Sequence, residues 1–236
     1  MCGIIGVALN KPSARDYQLV RRVFLESSIR GLHATGMSFL PYWSSSIQTI
    51  IEPKPADQFV KIHLHNDNLK HLLNADGNLY LIGHCRYSTS DLEYNQPIYN
   101  SNLSIVHNGV ISQELPENWK ELYGYDTSTK NDSELLLHTI ESGKEPFEVW
   151  ENSSIAAIEL HISKKLVYYR NGKRPIYQSV LDNGVIVTST ADIMHRASKG
   201  QIVAKEVEKD LKTSYNNAQF EHKTIYTNTA DLQHVR

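Results

Sequence analysis

The residue that could do chemistry most directly is the cysteine at position 2, in the run Met1-Cys2-Gly3-Ile4-Ile5-Gly6-Val7. Removal of Met1 would leave a single residue with both a thiol and a free α-amine. A free thiol has a pKa of about 8.5, so it needs a base to attack an amide at neutral pH. A chain-terminal amine, with a pKa of about 7.7–8.0, is suited to be that base. The alternative is that Cys2 is only a small apolar residue ahead of a buried strand.

Polar residues elsewhere in the chain could bind the group that such a thiol attacks. Asn108-Gly109 offers a side-chain amide donor and an unobstructed backbone N–H for a developing oxyanion, although Asn-Gly is also the commonest hairpin turn. The guanidinium of Arg86 suits a carboxylate, but an arginine at a strand end is also common on a surface. Asp132 could bind an ammonium group, although an aspartate at a helix start usually acts as a cap. The residues alone leave both interpretations of each position open.

Hydrophobic periodicity and turn residues predict the elements that would position these side chains. The apolar run 4–9 predicts a buried strand, and 14–30 predicts an amphipathic helix with Ser13 as its cap and Gly31 as its end. Residues 107–109 are predicted to form a turn. Further strands are predicted at 37–40, 47–51, 79–84, 103–106, 155–160, 166–170 and 185–188, and further helices at 56–73, with an interruption near 66–68, and at 132–141, with a cap near Asn131.

The order of these elements predicts an α+β protein rather than a repeated β-α-β winding. Helices lie mainly in the first half, with antiparallel-looking strands on both sides of them. At 236 residues the chain is long enough for one large domain with a sizeable core, so we expect residues 1–236 to form a single domain. The segment 201–236 is polar and is the least interpretable part.

Composition narrows the class of protein. With 24 basic and 26 acidic side chains the net charge is -2, which gives no general attraction to nucleic acid. The only two cysteines, Cys2 and Cys85, are too few for a disulfide scaffold and fit a reducing compartment. The opening residues lack the pattern of a signal peptide, and no segment approaches the roughly 20 apolar residues of a membrane span. We therefore expect a soluble cytoplasmic protein.

Eleven histidines raise the alternative of a metal site, at His63-Leu64-His65 with His71, or at His84 with Cys85. No cysteine pair or His-Glu-x-x-His spacing supports a zinc site. No metal or other cofactor is therefore expected.

The strongest sequence signal is the order in which six short segments occur. In that order they resemble the motif set of class II glutamine amidotransferases, with weaker similarity at Arg170-Asn171-Gly172-Lys173-Arg174-Pro175 and Thr188-Ser189-Thr190. The six are Met1-Cys2-Gly3-Ile4-Ile5-Gly6, Arg30-Gly31-Leu32-His33-Ala34-Thr35-Gly36, Gly83-His84-Cys85-Arg86-Tyr87-Ser88-Thr89, Gln96-Pro97, His107-Asn108-Gly109 and Asp132-Ser133-Glu134.

The resemblance implies the N-terminal nucleophile hydrolase fold, a four-layer αββα sandwich with two stacked antiparallel sheets. It also implies that L-glutamine is hydrolysed through a γ-glutamyl thioester. The roles it implies are Cys2 as nucleophile with its α-amine as base, Asn108 and the Gly109 N–H as oxyanion donors, Arg86 and Asp132 as ligands of the glutamine α-carboxylate and α-amine, Thr89 as a polar pocket residue and Arg30 as a supporting residue.

One position departs from the family pattern, because His33 stands where the arginine-glycine motif usually has aspartate. His33 would be tolerated if that aspartate only organises a loop, and turnover would be slow if it orients the terminal amine or Arg30. Two alternatives to glutamine hydrolysis stay open: cleavage of another γ-glutamyl amide, and a glutamine-binding subunit without turnover. The sequence contains no Walker-type phosphate loop, so ATP use within this polypeptide is not expected. A separate synthase subunit is expected to receive the ammonia, and the alternative is a stand-alone glutaminase or γ-glutamyl hydrolase.

Overall fold

Two antiparallel β-sheets form the centre of the protein, in a computed structural model that describes residues 2–65, 69–88 and 93–224. The seven-stranded sheet has the strand order β11-β9-β10-β1-β4-β2-β3, and the six-stranded sheet has the order β13-β12-β8-β7-β6-β5. The strands are β1 (Gly3–Leu9), β2 (Ala34–Phe39), β3 (Gln48–Glu52), β4 (Leu79–Arg86), β5 (Ile98–Tyr99), β6 (Leu103–His107), β7 (Ala156–His161), β8 (Lys165–Arg170), β9 (Tyr177–Leu181), β10 (Gly184–Thr188), β11 (Lys205–Glu206), β12 (Leu211–Asn216) and β13 (Gln219–Thr224).

Helices cover the outer face of each sheet. They are α1 (Ala14–Ser27), α2 (Ala56–His63), α3 (Trp119–Tyr123), α4 (Ser133–Glu141), α5 (Pro146–Val149) and α6 (Ala191–Ala197), with short 3₁₀ turns at Ser28–Arg30, Leu69–Leu72 and Pro116–Asn118. Helices α1, α2 and α6 share a buried cluster with the seven-stranded sheet, and α3, α4 and α5 share one with the six-stranded sheet. The predicted four-layer αββα arrangement is therefore confirmed.

A third buried cluster fills the space between the two sheets. Because side chains alternate along a strand, every second residue of β1 faces this space, including Ile4 and Ala8. Gly6 lies between them, and a Cβ placed on it would be 2.9 Å from Cγ2 of Ile158 in the opposite sheet. The two sheets thus approach each other closely at Gly6.

Several local predictions are confirmed. Ser13 caps α1, since its hydroxyl accepts from the N–H of Asp16 and the Asp16 carboxylate accepts from the N–H of Ser13. The α-helix itself ends at Ser27, earlier than predicted, and continues as the 3₁₀ turn before Gly31. The strands predicted at 37–40 and 47–51 are present as β2 and β3, which pair antiparallel.

Other elements were not predicted because their sequences carry weak signals. Strands β5 and β11 are only two residues long, and β13 is almost entirely exposed, so neither length nor alternation marks them. The segment 201–236, described here to residue 224, contributes β11 to the seven-stranded sheet and β12 and β13 to the six-stranded sheet, where β12 pairs with β8. Tertiary pairing, not local pattern, determines these strands.

No helix in the described ranges combines the length and the apolar character needed to cross a bilayer.

Candidate active site

Cys2 lies immediately before the central strand β1 and is partly exposed. Gly3 pairs with Cys85 of the antiparallel strand β4. Cys2, just before Gly3, and Arg86, just after Cys85, therefore lie at the same end of these two adjacent strands. The backbone nitrogen of Cys2 donates to Oδ1 of Asn108 at 3.3 Å. Asn108 follows β6 of the other sheet, so this contact joins the two sheets at the predicted nucleophile.

The hydrogen bond to Cys2 orients the Asn108 side-chain amide. Because Oδ1 accepts from the Cys2 nitrogen, Nδ2 is the group that remains to donate. This Nδ2 is buried and has no hydrogen-bond partner among the described residues. An unpaired buried donor is costly in a folded protein, and such groups often mark a binding site. The Asn108 amide can therefore donate to a bound oxygen next to Cys2.

Asn108-Gly109 does not form a hairpin turn. The N–H groups of Asn108 and Val110 donate to the carbonyls of Ala156 (2.9 Å) and Ser154 (3.1 Å), so the chain continues along β7. A Cβ at Gly109 would be 1.8 Å from the Ser154 carbonyl oxygen, so only glycine fits here. The prediction of a turn at 107–109 was wrong, because His107 ends the strand and the next residues bend without reversing.

Arg86 is the last residue of β4. Its Nη1 donates to the Tyr94 carbonyl at 2.6 Å and to Oδ1 of Asn95 at 2.9 Å. These contacts fix the guanidinium against the segment that leads to β5. Arg86 is therefore held in one orientation at the wall of a cavity, as a site for a carboxylate requires.

Asp132 occupies the N-cap position of α4, but its side chain makes no capping hydrogen bond. Its Oδ2 instead accepts from the backbone N–H groups of Ile111 (2.6 Å) and Ser112 (3.3 Å). The cap is supplied by Asn131, whose Oδ1 accepts from the N–H of Ser133 at 3.1 Å. The usual capping role of an aspartate at this position is thus excluded, and the carboxylate is available to the cavity.

One cavity of about 320 Å³ brings Cys2, Arg86 and Asp132 together, whereas Asn108 and Gly109 are not among its lining residues. Three of the predicted site residues line it, along with residues to which the sequence assigned no role, and its size is at the lower end of the range for small-molecule sites. The principal lining residues are Cys2, His84, Arg86, Gln96, Asn131 and Asp132. A larger cavity of about 680 Å³ lies between α1 and β9 and contains none of the predicted site residues.

Two further residues, Thr89 and Arg30, were predicted to belong to the site. Thr89 lies outside the described residues. Arg30 lies beside the start of β1, where its Cβ would be 3.4 Å from a Cβ on Gly3. This position fits the supporting role implied for Arg30.

A buried hydrogen-bond network supports the end of β6, and sequence reasoning missed it. Gln96 accepts from the His107 N–H at 2.6 Å through Oε1 and donates to the His107 carbonyl and the Ser133 hydroxyl, each at 3.1 Å, through Nε2. Nε2 of His107 donates to the Ser154 carbonyl at 3.1 Å, so Nδ1 accepts from Ser133. Burial lowers the pKa of His107, which keeps the imidazole neutral. The Gln96-Pro97, His107-Asn108-Gly109 and Asp132-Ser133-Glu134 motifs contain the members of this network, but nothing in the sequence indicated that they contact one another.

The second unassigned group is His84. It is buried on β4, two residues before Arg86, and its Nε2 has no partner among the described residues. Burial, with smaller effects of the Arg86 and His107 charges, lowers the pKa of His84 to about 3. A neutral imidazole therefore lies beside the cavity. The described residues contain no cluster of three or more His, Cys, Asp or Glu side chains that could hold a metal.

Comparisons with known proteins place the chain in a family. The family model described as "Glutamine amidotransferase domain" matches residues 66–235. A search of curated proteins found no match.

Solved structures show the same fold at low identity. The glutamine phosphoribosylpyrophosphate amidotransferase from B. subtilis, complexed with ADP and GMP, superposes with a TM-score of 0.70 at 18% identity over 96% of this chain and 50% of that one. A structure of the allosteric regulatory enzyme of purine biosynthesis gives 0.69 at 18% identity over the same shares. A glutamine aminotransferase class-II domain protein from Silicibacter pomeroyi gives 0.55 at 11% identity over 96% of this chain and 100% of that one.

The chain thus spans about half the length of the first two of these structures. The family match covers most of the chain, and the two stacked antiparallel sheets agree with the fold of the solved structures. This protein belongs to the family of glutamine amidotransferase domains, and it shares the fold of the three solved structures.

Proposed function

We propose that this chain hydrolyses the side-chain amide of L-glutamine through a γ-glutamyl thioester on Cys2, with release of glutamate and ammonia. The observation that carries the proposal is the contact between the Cys2 nitrogen and Oδ1 of Asn108. It leaves Nδ2 of Asn108 buried, without a described partner, and next to the thiol-bearing residue. A thiol, a nitrogen and an unpaired amide donor in one place are what amide hydrolysis requires.

The proposed reaction begins with removal of Met1, which frees the α-amine of Cys2. That amine takes the thiol proton, directly or through a water, as sulfur attacks the glutamine carboxamide carbon. Nδ2 of Asn108 and the N–H of Gly109 donate to the oxyanion. The protonated amine then gives its proton to the leaving ammonia, and the γ-glutamyl thioester remains. Water activated by the same amine attacks the thioester, releases glutamate and restores the thiol.

The charged groups of the cavity support a free amino acid as substrate. Arg86 is positioned to bind the α-carboxylate, and the Asp132 carboxylate to bind the α-ammonium group. Because Arg86 and Asp132 would contact only the α-carboxylate and the α-ammonium group, they do not determine which group is attached to the γ-nitrogen. Hydrolysis of L-glutamine, L-asparagine and a γ-glutamyl amide by the same preparation distinguishes glutamine from other γ-glutamyl substrates.

We further propose that the ammonia is passed to a separate synthase subunit. The supporting observation is the match to the glutamine amidotransferase domain family, because an amidotransferase delivers the amide nitrogen of glutamine to an acceptor. Pull-down from native cells with mass spectrometry tests this, and reproducible recovery of no synthase would contradict it.

The thioester is tested with two variants and a mass measurement. Cys2→Ala is expected to abolish glutamate release, and Asn108→Asp, which keeps the oxygen acceptor but loses the donor, to lower kcat on the order of 10²–10³-fold. Intact mass should show loss of Met1 and, after rapid quenching with glutamine, a glutamyl adduct on Cys2. Asn152→Ser, at an exposed position outside the cavity, is the control. Glutamate release by Cys2→Ala would refute the assignment, and glutamine binding without any turnover in the processed wild-type protein would favour a non-catalytic subunit.

A further inference from the structure

Two binding groups of the cavity are joined through one carbonyl oxygen. The Tyr94 carbonyl accepts from Nη1 of Arg86 at 2.6 Å and from Nδ2 of Asn131 at 3.1 Å. Asn131 immediately precedes Asp132. The residue next to the aspartate is therefore tied to the same backbone atom that holds the arginine.

Both ends of the Asn131 side-chain amide are in use. While Nδ2 donates to Tyr94, Oδ1 accepts from the Ser133 N–H at 3.1 Å and so caps α4. Because Asn131 caps the helix, Asp132 does not have to, and the Asp132 carboxylate turns to the N–H groups of Ile111 and Ser112. The Asn131 side-chain amide thus affects both binding groups. It caps α4 in place of Asp132, and it fixes the Tyr94 carbonyl that accepts from Arg86.

The loop that carries Asn131 is itself fixed. The Glu134 carboxylate accepts from the N–H and hydroxyl of Ser128 (2.7 and 2.8 Å) and of Thr129 (2.7 and 2.6 Å). Burial alone raises the pKa of Glu134, but these hydrogen bonds outweigh it and the pKa lies below its usual value. The N–H of Asn131 also donates to the Thr129 hydroxyl at 3.2 Å. Asn131 therefore has little freedom to move.

We propose that Asn131 is a positioning residue that sets the spacing between Arg86 and Asp132, and thereby selects substrates that carry both an α-carboxylate and an α-ammonium group. This inference rests on the proposed function, in which those two groups bind the α-end of glutamine. Asn131 touches neither reacting atom. It acts on the substrate through the fixed separation of the two residues that would bind it.

Substrates that carry both an α-carboxylate and an α-ammonium group should respond to the spacing of Arg86 and Asp132 differently from substrates that carry only one of these groups. L-Glutamine must contact Arg86 and Asp132 together, so a change in their spacing weakens its binding. Glutaramate, which lacks the α-amine, and 4-aminobutanamide, which lacks the α-carboxylate, each need only one of the two residues. Their hydrolysis should be insensitive to the spacing.

The decisive variant is Asn131→Ser. Serine caps a helix about as well as asparagine, so the cap of α4 is kept. The serine side chain is too short to reach the Tyr94 carbonyl, so that hydrogen bond is lost. The net charge does not change. We expect KM for L-glutamine to rise about three- to tenfold, the effect of one hydrogen bond, with kcat changed less than about twofold. For glutaramate and 4-aminobutanamide, kcat/KM should change less than about twofold. Asn131→Ala loses the cap as well and should weaken glutamine binding further. Asn152→Ser is the matched control.

Binding without turnover separates this inference from the proposed function. Calorimetric titration of L-glutamine into the Cys2→Ala protein, with and without Asn131→Ser, should show the same three- to tenfold loss of affinity. Equal affinity of the two proteins, or equal losses of kcat/KM on all three amides, would overturn the positioning role alone. Failure of the Cys2→Ala protein with native Asn131 to bind L-glutamine would instead overturn the proposed function together with this inference. Thermal unfolding of Asn131→Ser checks that the fold is retained.

Discussion

Nδ1 of His33 accepts a hydrogen bond from the backbone N–H of Ser88 at 2.9 Å. The His33 N–H donates to the Arg86 carbonyl at 3.0 Å, and its ring contacts Tyr87 with 4.9 Å between ring centroids. His33 therefore contacts each of the three residues Arg86, Tyr87 and Ser88 and fixes the chain where it leaves β4. A carboxylate could accept the same Ser88 N–H, so this geometry favours a loop-organising role for the aspartate that the resemblance predicts at this position.

The first prediction concerns His33. His33→Ala leaves the Ser88 N–H without its acceptor and should lower kcat/KM for glutamine about three- to tenfold, mainly through KM, since the segment that follows Arg86 loses its support. His33→Asp restores an acceptor and should stay within about twofold of wild type. Steady-state kinetics of both variants provides the measurement. A gain of tenfold or more in kcat for His33→Asp would show instead that the histidine impairs the chemical step.

The second prediction concerns Gly109. A Cβ here would collide with the Ser154 carbonyl oxygen at 1.8 Å, so Gly109→Ala must displace the backbone next to Asn108. We expect a loss of about 1–3 kcal/mol in the free energy of unfolding. We also expect kcat to fall on the order of 10²–10³-fold as the N–H donor moves.

A matched variant controls for the loss of a glycine as such. Gly143 has φ of +72° with nothing within 4 Å of an added Cβ. Gly143→Ala should therefore cost only ~1 kcal/mol of left-handed strain and leave kcat unchanged. Urea unfolding and glutaminase assays compare the two variants. Wild-type kcat in Gly109→Ala would show that the Gly109 N–H is not an oxyanion donor.

The third prediction concerns the pH dependence of stability. Burial, with smaller effects of Arg86 and His107, lowers the pKa of His84 from 6.5 in the unfolded chain to about 3 in the folded protein. Below about pH 6.5 the unfolded chain therefore binds a proton that the folded protein does not, and stability falls as pH falls. The slope approaches about 1.4 kcal/mol per pH unit for this histidine. His107, whose pKa is lowered by burial, adds a slope of the same sign.

His84→Gln removes one of these titrations. Urea unfolding between about pH 6.5 and pH 5 should show a shallower loss of stability than in the wild type, in a range above the titration of most carboxylates. The exposed His65 gives the control, because His65→Gln replaces a histidine without altering a buried site. An unchanged slope in His84→Gln would mean that His84 is not buried as a neutral group.

The sequence predicted the parts of the site that depend on residue type and chain order. Cys2 ahead of a buried strand, and the amide of Asn108, were recognisable from the chain alone. The fold class followed from the same motifs and from the order of helices and strands. The capping box of α1 was also predictable, because it depends on residues only three positions apart.

The sequence could not predict the parts that depend on distant contacts. Local rules predict a helix cap near Asn131, as found, but they do not predict that the N–H groups of Ile111 and Ser112, about 20 residues away along the chain, bind the Asp132 carboxylate. Likewise the bond from Gln96 to Ser133 spans 37 residues, and no periodicity marks it. The position of β12 beside β8 is set by pairing across the sheet rather than by its own polar sequence.

The close approach of the sheets at Gly6 makes that residue a spacer between the two halves of the candidate site. Cys2 belongs to one sheet and Asn108 to the other, and their separation is determined by how tightly the inner faces interlock. A side chain larger than hydrogen at Gly6 would press against Ile158 and move the two sheets apart, and with them the Cys2 nitrogen and the Asn108 amide. A position remote from the cavity therefore sets the geometry of the candidate site through the thickness of the sheet interface.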